Sequence, residues 1–227
     1  MIGAGHPDEA VRAAHELRGD LLIPIVKGFC TECGIEAASV GIQVHGGMGY
    51  IEETGAAQTF RDARITSIYE GTTGIQSNDL IGRKFGRDRG AAMMAFIDEM
   101  EASLAGLAPL HASALHARSA AQDALTRLRK TSESMLKSLA TAPDRAMAVS
   151  VPFLRFCGLT IGGWLMARAA DVAAQRLVAG ASDREFFEAK LATANFYSSQ
   201  VLPQVLTLEH ICTQGSDAVS GTDVALI

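Results

Sequence analysis

Apolar residues recur at helical spacing along most of the chain. Between residues 24 and 44 they stand three or four positions apart, as on one face of an α-helix. No segment is typical of a strand, in which apolar and polar residues alternate. The pattern therefore predicts an all-α fold. The apolar positions of this first clear stripe are Val26, Phe29, Cys30, Cys33, Ala37, Val40 and Val44.

Start and stop signals divide the pattern into separate predicted helices. Gly19 and Asp20 are expected to end the first helix, and Pro24 is expected to begin the second. Pro203 is expected to kink the last helix, because an interior proline removes a backbone hydrogen bond. The predicted helices cover residues 7–18, 24–44, 55–67, 74–86, 90–106, 113–140, 143–179 and 183–212.

Two glycines, Gly86 and Gly90, mark the predicted domain boundary. We expect a first helical part over residues 1–88 and a second helical domain over residues 89–214. The polar tail over residues 215–227 is expected to be loose.

The second domain contains an almost wholly apolar run from Val151 to Met166. This run is too short to cross a membrane, and Arg155 interrupts it. We therefore predict a buried core helix here and no membrane span.

Composition narrows the class of protein. The 227 residues suffice for one large domain or two small ones, and an apolar fraction of 48% excludes general disorder. Aromatic residues make up only 6%, which favours helices over sandwiches or barrels. A net charge of −5 argues against a general nucleic-acid binder and against DNA binding.

The four cysteines are scattered, and no secretory leader is evident at the start of the sequence. We expect a reduced, cytoplasmic protein. Cys30 and Cys33 stand three apart in an apolar helical stretch without a second such pair, which favours core packing over a redox or zinc site. No metal site is predicted.

Candidate chemistry is confined to residues 43–76. The glycine-rich segment His45–Gly49 exposes backbone that a flat or phosphorylated ligand could approach, although glycine turns at helix ends are routine. Glu70 stands in a turn between apolar residues and Gly71, where a carboxylate withdrawn from water would suit a general base. The alternative is a glutamate that simply stabilises the following helix through its dipole.

Three ordered blocks carry a family resemblance. They are Gln43-Val44-His45-Gly46-Gly47-Met48-Gly49-Tyr50, Arg61-Asp62-Ala63-Arg64-Ile65 and Ile68-Tyr69-Glu70-Gly71-Thr72. Together they resemble the C-terminal signature of the acyl-CoA dehydrogenase flavoproteins, over about residues 20–88. Residues 90–212 resemble the extra helical domain of larger members, and the chain looks most similar to the 3-methylmercaptopropionyl-CoA dehydrogenase type.

The resemblance implies FAD-dependent α,β-dehydrogenation of an acyl-CoA thioester. Glu70 would be the base that removes the α-proton, while the β-hydrogen leaves as hydride to the flavin N5. The backbone N–H of Glu70 would also donate to the thioester oxygen, together with a flavin ribityl hydroxyl. Gly71 would contact the substrate.

The resemblance also assigns two segments to FAD. Gln43, Val44, His45, Gly46 and Gly47 would reach the ADP half of an FAD held mainly by a neighbouring subunit. A second stretch would consist of Thr72, Thr73 and Gly74. The implied partners are an acyl-CoA substrate, further copies of the chain in a homo-oligomer and an electron-transfer acceptor. Asp62 and Arg64 would hold helix ends and subunit contacts.

Family members also have an N-terminal helical domain and a middle β-domain, to which no part of this sequence corresponds. We therefore expect a partial dehydrogenase bundle followed by an appended helical-bundle domain, incomplete for activity by itself. The alternative function is a catalytically inactive helical module for oligomerisation or partner binding.

Overall fold

A computed structural model describes residues 5–222 of the chain. The structure is 83% helical and contains no strand among the described residues, which confirms the all-α prediction. The α-helices are α1 (Glu9–Val44), α2 (Gly47–Tyr50), α3 (Ala56–Ile65), α4 (Thr73–Asn78), α5 (Ala91–Ala105), α6 (Ala112–Thr141), α7 (Pro143–Ala148), α8 (Ser150–Val178), α9 (Arg184–Phe196), α10 (Gln204–Gln214) and α11 (Ser216–Ser220).

The first two predicted helices are one helix, so the expected break at Gly19 and Asp20 was wrong. Helix α1 continues through both residues and through Pro24. An interior proline costs roughly 3 kcal/mol in an isolated helix. Here Pro24 is buried, and Leu21 and Ile25 beside it are 1% and 2% exposed. Burial of this face against the rest of the molecule offsets the missing hydrogen bond.

Asp20 also supports the continuous helix, because its side chain lies within 3.2 Å of the Lys84 ammonium and 3.3 Å of the Arg87 guanidinium. The hydrogen bond from Lys84, with its charge and that of Arg87, lowers the pKa of the Asp20 carboxyl. A residue expected to end a helix therefore ties α1 to the segment after α4.

Two π-helical segments interrupt the regular helices. Asp79–Phe85 extends α4, and Tyr197–Val201 lies between α9 and α10. The second of these immediately precedes Pro203, where the sequence predicted an irregularity. The Leu202 N–H donates to the Tyr197 carbonyl five residues back at 2.8 Å, which is the π-helical pattern that often accompanies a bend.

The remaining boundaries differ from expectation at two places. The predicted helix 143–179 divides into α7 and α8 at Val149, whose backbone is not helical. Part of the segment expected as a loose tail is helix α11, and the carboxylate of Asp217 in it forms an ion pair with Arg145 of α7, with Oδ1 3.1 Å from Nε. Residues 223–227 of that predicted tail lie outside the described part of the chain.

The two predicted parts share one continuous hydrophobic core. Phe85 and Phe153 face each other with ring centroids 5.6 Å apart. The buried hydroxyls of Ser77 and Ser150 lie 3.1 Å apart, and Ser150 also donates to the Asn78 side-chain carbonyl at 3.1 Å. These contacts join α4 to α8. The structure therefore places α4, which follows the candidate residue Glu70, directly against the second part of the chain.

Helix α8 is the only helix in residues 5–222 that is long and apolar enough to cross a membrane. However, 61% of its apolar stretch is buried inside the molecule. Phe153, Phe156 and Cys157 in it have no exposed surface. It behaves as the central core helix that the sequence predicted.

Cys30 and Cys33 are exposed, so their prediction as core residues was wrong. Helix α1 buries the neighbouring face that carries Leu21, Pro24, Ile25 and Gly28 instead. Partial desolvation still raises the pKa of the Cys33 thiol. All four cysteines are free thiols.

Candidate functional site

The Glu70 turn, residues 66–72, connects α3 to α4. Glu70 has φ of 53° and Gly71 has φ of 91°, so two consecutive residues occupy the left-handed region. This conformation costs a non-glycine residue roughly 1–2 kcal/mol. A strained glutamate followed by a glycine is a fixed feature rather than a relaxed connection, and such strain is concentrated at functional sites.

Four side chains hold the Glu70 turn in place. Lys27 of α1 donates to the Gly71 carbonyl, and Gln76 Nε2 donates to the Glu70 carbonyl at 3.1 Å. Thr72 caps α4 by accepting from the Ile75 N–H at 3.3 Å, and the Thr73 hydroxyl donates to Glu32 of α1. The turn is therefore anchored from both α1 and α4.

The Glu70 side chain is exposed within this chain. Its apolar neighbours Ile68 and Tyr69 are 49% and 50% exposed, so the expected withdrawal of the carboxylate from water was wrong for the described residues. The reason is that the turn projects from the edge of the helices, and its apolar side chains face outward with it.

The backbone of the Glu70 turn presents unused donors. Among residues 5–222, the N–H groups of Glu70 and Gly71 donate to no protein acceptor. The neighbouring Tyr69 N–H is satisfied by the Ile65 carbonyl at 3.1 Å. A carboxylate next to two free N–H groups can bind an acidic C–H group and an oxygen that gains negative charge.

The glycine-rich segment lies at the far end of α1. His45 ends α1, and Gly46 has φ of 62° and ψ of −145°, a conformation that favours glycine. A Cβ at Gly46 or Gly47 would meet no atom within 4 Å. The backbone is therefore open to a ligand, as predicted from the sequence. The five predicted cofactor residues of this segment are all exposed: Gln43, Val44, His45, Gly46 and Gly47.

The two candidate segments do not converge on one pocket within this chain. Lys27 touches the Glu70 turn, whereas Val44 lies 17 residues further along the same helix. At a rise of 1.5 Å per residue this separates the segments by about 25 Å. They can contact opposite ends of one extended ligand or two different ligands.

A groove of about 550 Å³ lies beside the glycine-rich segment, between α1 and α3. Glu52 on its wall accepts two hydrogen bonds from Arg61, at 2.8 and 2.6 Å. This pairing lowers the pKa of the Glu52 carboxyl. Arg64 donates to the Ser67 hydroxyl at 3.1 Å, which fits its predicted role at a helix end. The lining residues are Ile42, Tyr50, Ile51, Glu52, Ala57, Phe60 and Arg61.

The second half of the described chain shows no comparable constellation. His111 caps α6 by accepting from the Ser113 N–H at 3.1 Å, and exposed His116 lies 3.1 Å from the Ser199 hydroxyl. Both histidines therefore have structural contacts within the chain. No group of three or more potential metal ligands occurs in residues 5–222.

Sequence reasoning missed the residues that anchor the Glu70 turn. Lys27 and Glu32 are charged residues that lie between the apolar positions of α1, where charged residues are ordinary and give no signal of their own. Their partners lie 44 and 41 residues away, and no local pattern encodes such a pairing. Gln76 was missed for the same reason, although it lies only six residues beyond Glu70.

Two family models divide the chain between them. "Acyl-CoA dehydrogenase, C-terminal domain" matches residues 8–85, and "Acetyl-CoA dehydrogenase C-terminal like" matches residues 93–223. Together with the all-helical architecture, these matches identify both parts of the chain as C-terminal helical regions of acyl-CoA dehydrogenase type. The chain belongs to the acyl-CoA dehydrogenase family.

Individual relatives agree with this assignment. The chain is 44% identical over 199 residues to 3-methylmercaptopropionyl-CoA dehydrogenase of Ruegeria pomeroyi, which covers 88% of this chain and 34% of that relative. It is 34% identical to the broad-specificity linear acyl-CoA dehydrogenase FadE5 of Mycobacterium tuberculosis, over 85% of this chain and 33% of the relative. A butyryl-CoA dehydrogenase of Syntrophomonas wolfei is 28% identical over 97% of the chain and 36% of its own length. The chain thus spans about a third of the length of these relatives.

Proposed function

We propose that this chain supplies the catalytic base and part of the FAD-contacting surface of an acyl-CoA dehydrogenase. Glu70 takes the α-proton of an acyl-CoA thioester. The observation that carries the proposal is the Glu70 turn, which holds a carboxylate and two free N–H groups side by side in a strained, four-fold anchored backbone.

Removal of the α-proton needs both the carboxylate and the N–H donors. The C–H beside a thioester carbonyl is a poor acid, so the base must be held in position when the proton moves. Negative charge then develops on the thioester oxygen, where preorganised donors are most effective. The Glu70 N–H serves as one such donor, and Gly71 contacts the substrate through its backbone, whose N–H is also free among the described residues.

The exposed segments fit the assignment to FAD. When bound, FAD would accept the β-hydrogen as hydride at N5, so that a carbon–carbon double bond forms as Glu70 takes the α-proton. The open backbone of Gly46 and Gly47 can approach the ADP half closely. Thr72 and Thr73 use their hydroxyls within the chain, so we assign their contacts, and that of Gly74, to the backbone.

The proposal includes the partners that the family implies. The exposed carboxylate of Glu70 needs a cover that excludes water, which other domains or subunits would provide. We propose a homo-oligomer that transfers electrons to a separate acceptor. Location in the cytoplasm stays a prediction.

A second candidate function is an inactive helical module that associates with itself or with a partner. The observation in its favour is the exposure of apolar side chains in the first part of the chain. Val44 and Tyr50 are 80% and 81% exposed, and Ile23 is 60% exposed. An inactive module of this kind would bury these side chains against its partner.

Glu70→Gln in the FAD-loaded holoenzyme that contains this chain separates the two functions. The amide keeps the size of the side chain but cannot accept the proton, so we expect kcat to fall by at least roughly 10³-fold while the flavin spectrum stays unchanged. Glu53→Gln is the matched control, because Glu53 is an exposed glutamate that makes no ion pair among the described residues. Near-normal turnover of Glu70→Gln would refute the base assignment. Failure of the unmodified protein that contains this chain to bind FAD and to turn over an acyl-CoA would favour the inactive module.

A further inference from the structure

Helix α1 passes directly beside the Glu70 turn and contributes one charged donor to it. Lys27 is half-buried, and its Nζ donates to the Gly71 carbonyl. The same ammonium lies 5.9 Å from the centroid of the Tyr69 ring, within reach of a cation–π attraction. Lys27 makes no ion pair with a carboxylate in residues 5–222. Its charge is therefore directed at the turn itself.

The hydrogen bond from Lys27 holds the strained part of the backbone in place. Glu70 and Gly71 both have left-handed φ angles, and the chain has to keep them there. Gln76 holds the peptide group that joins Glu70 to Gly71, and Lys27 holds the next peptide group, which joins Gly71 to Thr72. A hydrogen bond from an ammonium is about twice as strong as one between neutral groups.

The close packing around Gly71 explains why the anchor must be a long side chain. A Cβ at Gly71 would lie 2.9 Å from Gln76 Nε2 and 3.4 Å from Ile75 Cγ2. The turn is therefore already filled on the α4 side. Lys27 reaches it from the α1 side with an unbranched chain, which packs its methylene groups and still delivers a charged donor.

We propose that Lys27 is a positioning residue for Glu70. By holding the Gly71 carbonyl, it keeps the Glu70 carboxylate and the Glu70 N–H in the single geometry in which both can act on one thioester. The proposal rests on the proposed role of Glu70 as the base. It adds a residue on α1, 43 positions earlier in the sequence, whose side chain does not itself need to touch substrate.

The first test measures the turn without any reaction. Backbone order parameters from NMR relaxation are compared for the unmodified chain, Lys27→Met and Lys27→Arg. We expect the order parameters at Glu70 and Gly71 to fall from about 0.85 to below about 0.6 in Lys27→Met. They should recover in Lys27→Arg. Lys130→Met is the matched control, because Lys130 is an exposed lysine on α6. Order parameters in Lys27→Met equal to those in Lys130→Met would overturn the proposal.

The second test measures catalysis in the FAD-loaded holoenzyme. A misplaced base lowers kcat and leaves substrate binding largely intact, so we expect Lys27→Met to lower kcat about 10- to 100-fold with KM within about two-fold. Lys27→Arg should restore most of this loss, whereas Lys130→Met should have none. An unchanged kcat in Lys27→Met would overturn the positioning role, even with a loosened turn.

Glu70→Gln measured in parallel keeps the two proposals distinguishable. Full turnover of Glu70→Gln would refute Glu70 as the base, and with it the catalytic part of the role of Lys27. Loss of turnover in Glu70→Gln together with normal turnover in Lys27→Met would refute Lys27 alone.

Discussion

The two halves of this chain differ in how completely each one buries its own apolar side chains. Of the 36 buried apolar residues in the described structure, only six precede residue 89, and 30 follow it. By contrast, 12 of the 22 large apolar side chains that remain exposed lie in the shorter first half. The first half also carries the glycine-rich segment and the strained Glu70 turn.

By this comparison, the second half is the stable support, and the first half is the surface that carries the candidate chemistry. The second half folds around α8 and supplies most of the buried area, whereas the first half contributes α1 and α4 as a layer on it. Strained turns persist only where the surrounding structure over-determines them. The second half is therefore expected to stabilise the part of the chain that carries the candidate chemistry.

The largest expected effect tests where the stability resides. Phe153→Ala removes a fully buried ring of α8 that faces Phe85, and it should lower the free energy of unfolding by about 3–5 kcal/mol. Phe60→Ala removes a half-buried ring on the groove of the first half and should cost about 1 kcal/mol. Urea unfolding followed by circular dichroism measures both. Equal losses of unfolding free energy in the two variants would contradict the division into a stable second half and a less stable first half.

A smaller effect is expected at the Glu70 turn. Gly71→Ala places a Cβ 2.9 Å from Gln76 Nε2 at a φ of 91°, so it should destabilise the chain by roughly 1–2 kcal/mol. Gly47→Ala is the control, because a Cβ there meets nothing within 4 Å and φ is not positive. Thermal unfolding of both variants gives the comparison. A Gly71→Ala variant as stable as Gly47→Ala would mean that the turn relaxes freely.

The smallest effect concerns the ion pairs that tie α1 to the segment after α4. The lowered pKa of Asp20 stabilises the folded chain above its unfolded value near 4, and this contribution disappears as pH falls through the folded pKa. Asp20 is 39% exposed, so solvent screening limits the contribution to about 0.5 kcal/mol. Asp20→Asn should therefore be slightly less stable than the unmodified chain at pH 7, and this difference should shrink as pH falls below about 4. A difference in stability that does not shrink with falling pH would assign the effect to packing rather than to charge.

The sequence was sufficient for the features that are local. Helical spacing predicted the all-α fold, and the order of three motif blocks predicted the family. A turn at Glu70 and Gly71 was predicted from the residues themselves, whereas its left-handed backbone was not.

The missed features depend on contacts between distant residues. Gly19, Asp20 and Pro24 look like helix breaks because their local preferences oppose a helix, yet ion pairs to Lys84 and Arg87 and burial of Pro24 outweigh those preferences. The exposure of Cys30 and Cys33 depends on which face of α1 the other helices cover. An apolar stripe alone does not contain that information. The anchoring of the Glu70 turn by Lys27 is a third case of the same kind.

The continuity of α1 fixes the distance and the orientation between the two candidate segments. This one helix of 36 residues is about 54 Å long, carries Lys27 beside the Glu70 turn and is capped by His45 beside the open glycines. Inserting one residue between these points would rotate His45 by about 100° around the helix axis and shift it by about 1.5 Å relative to Lys27. A single inserted residue would thereby turn one ligand-contacting segment away from the other, although every side chain in both segments stayed the same.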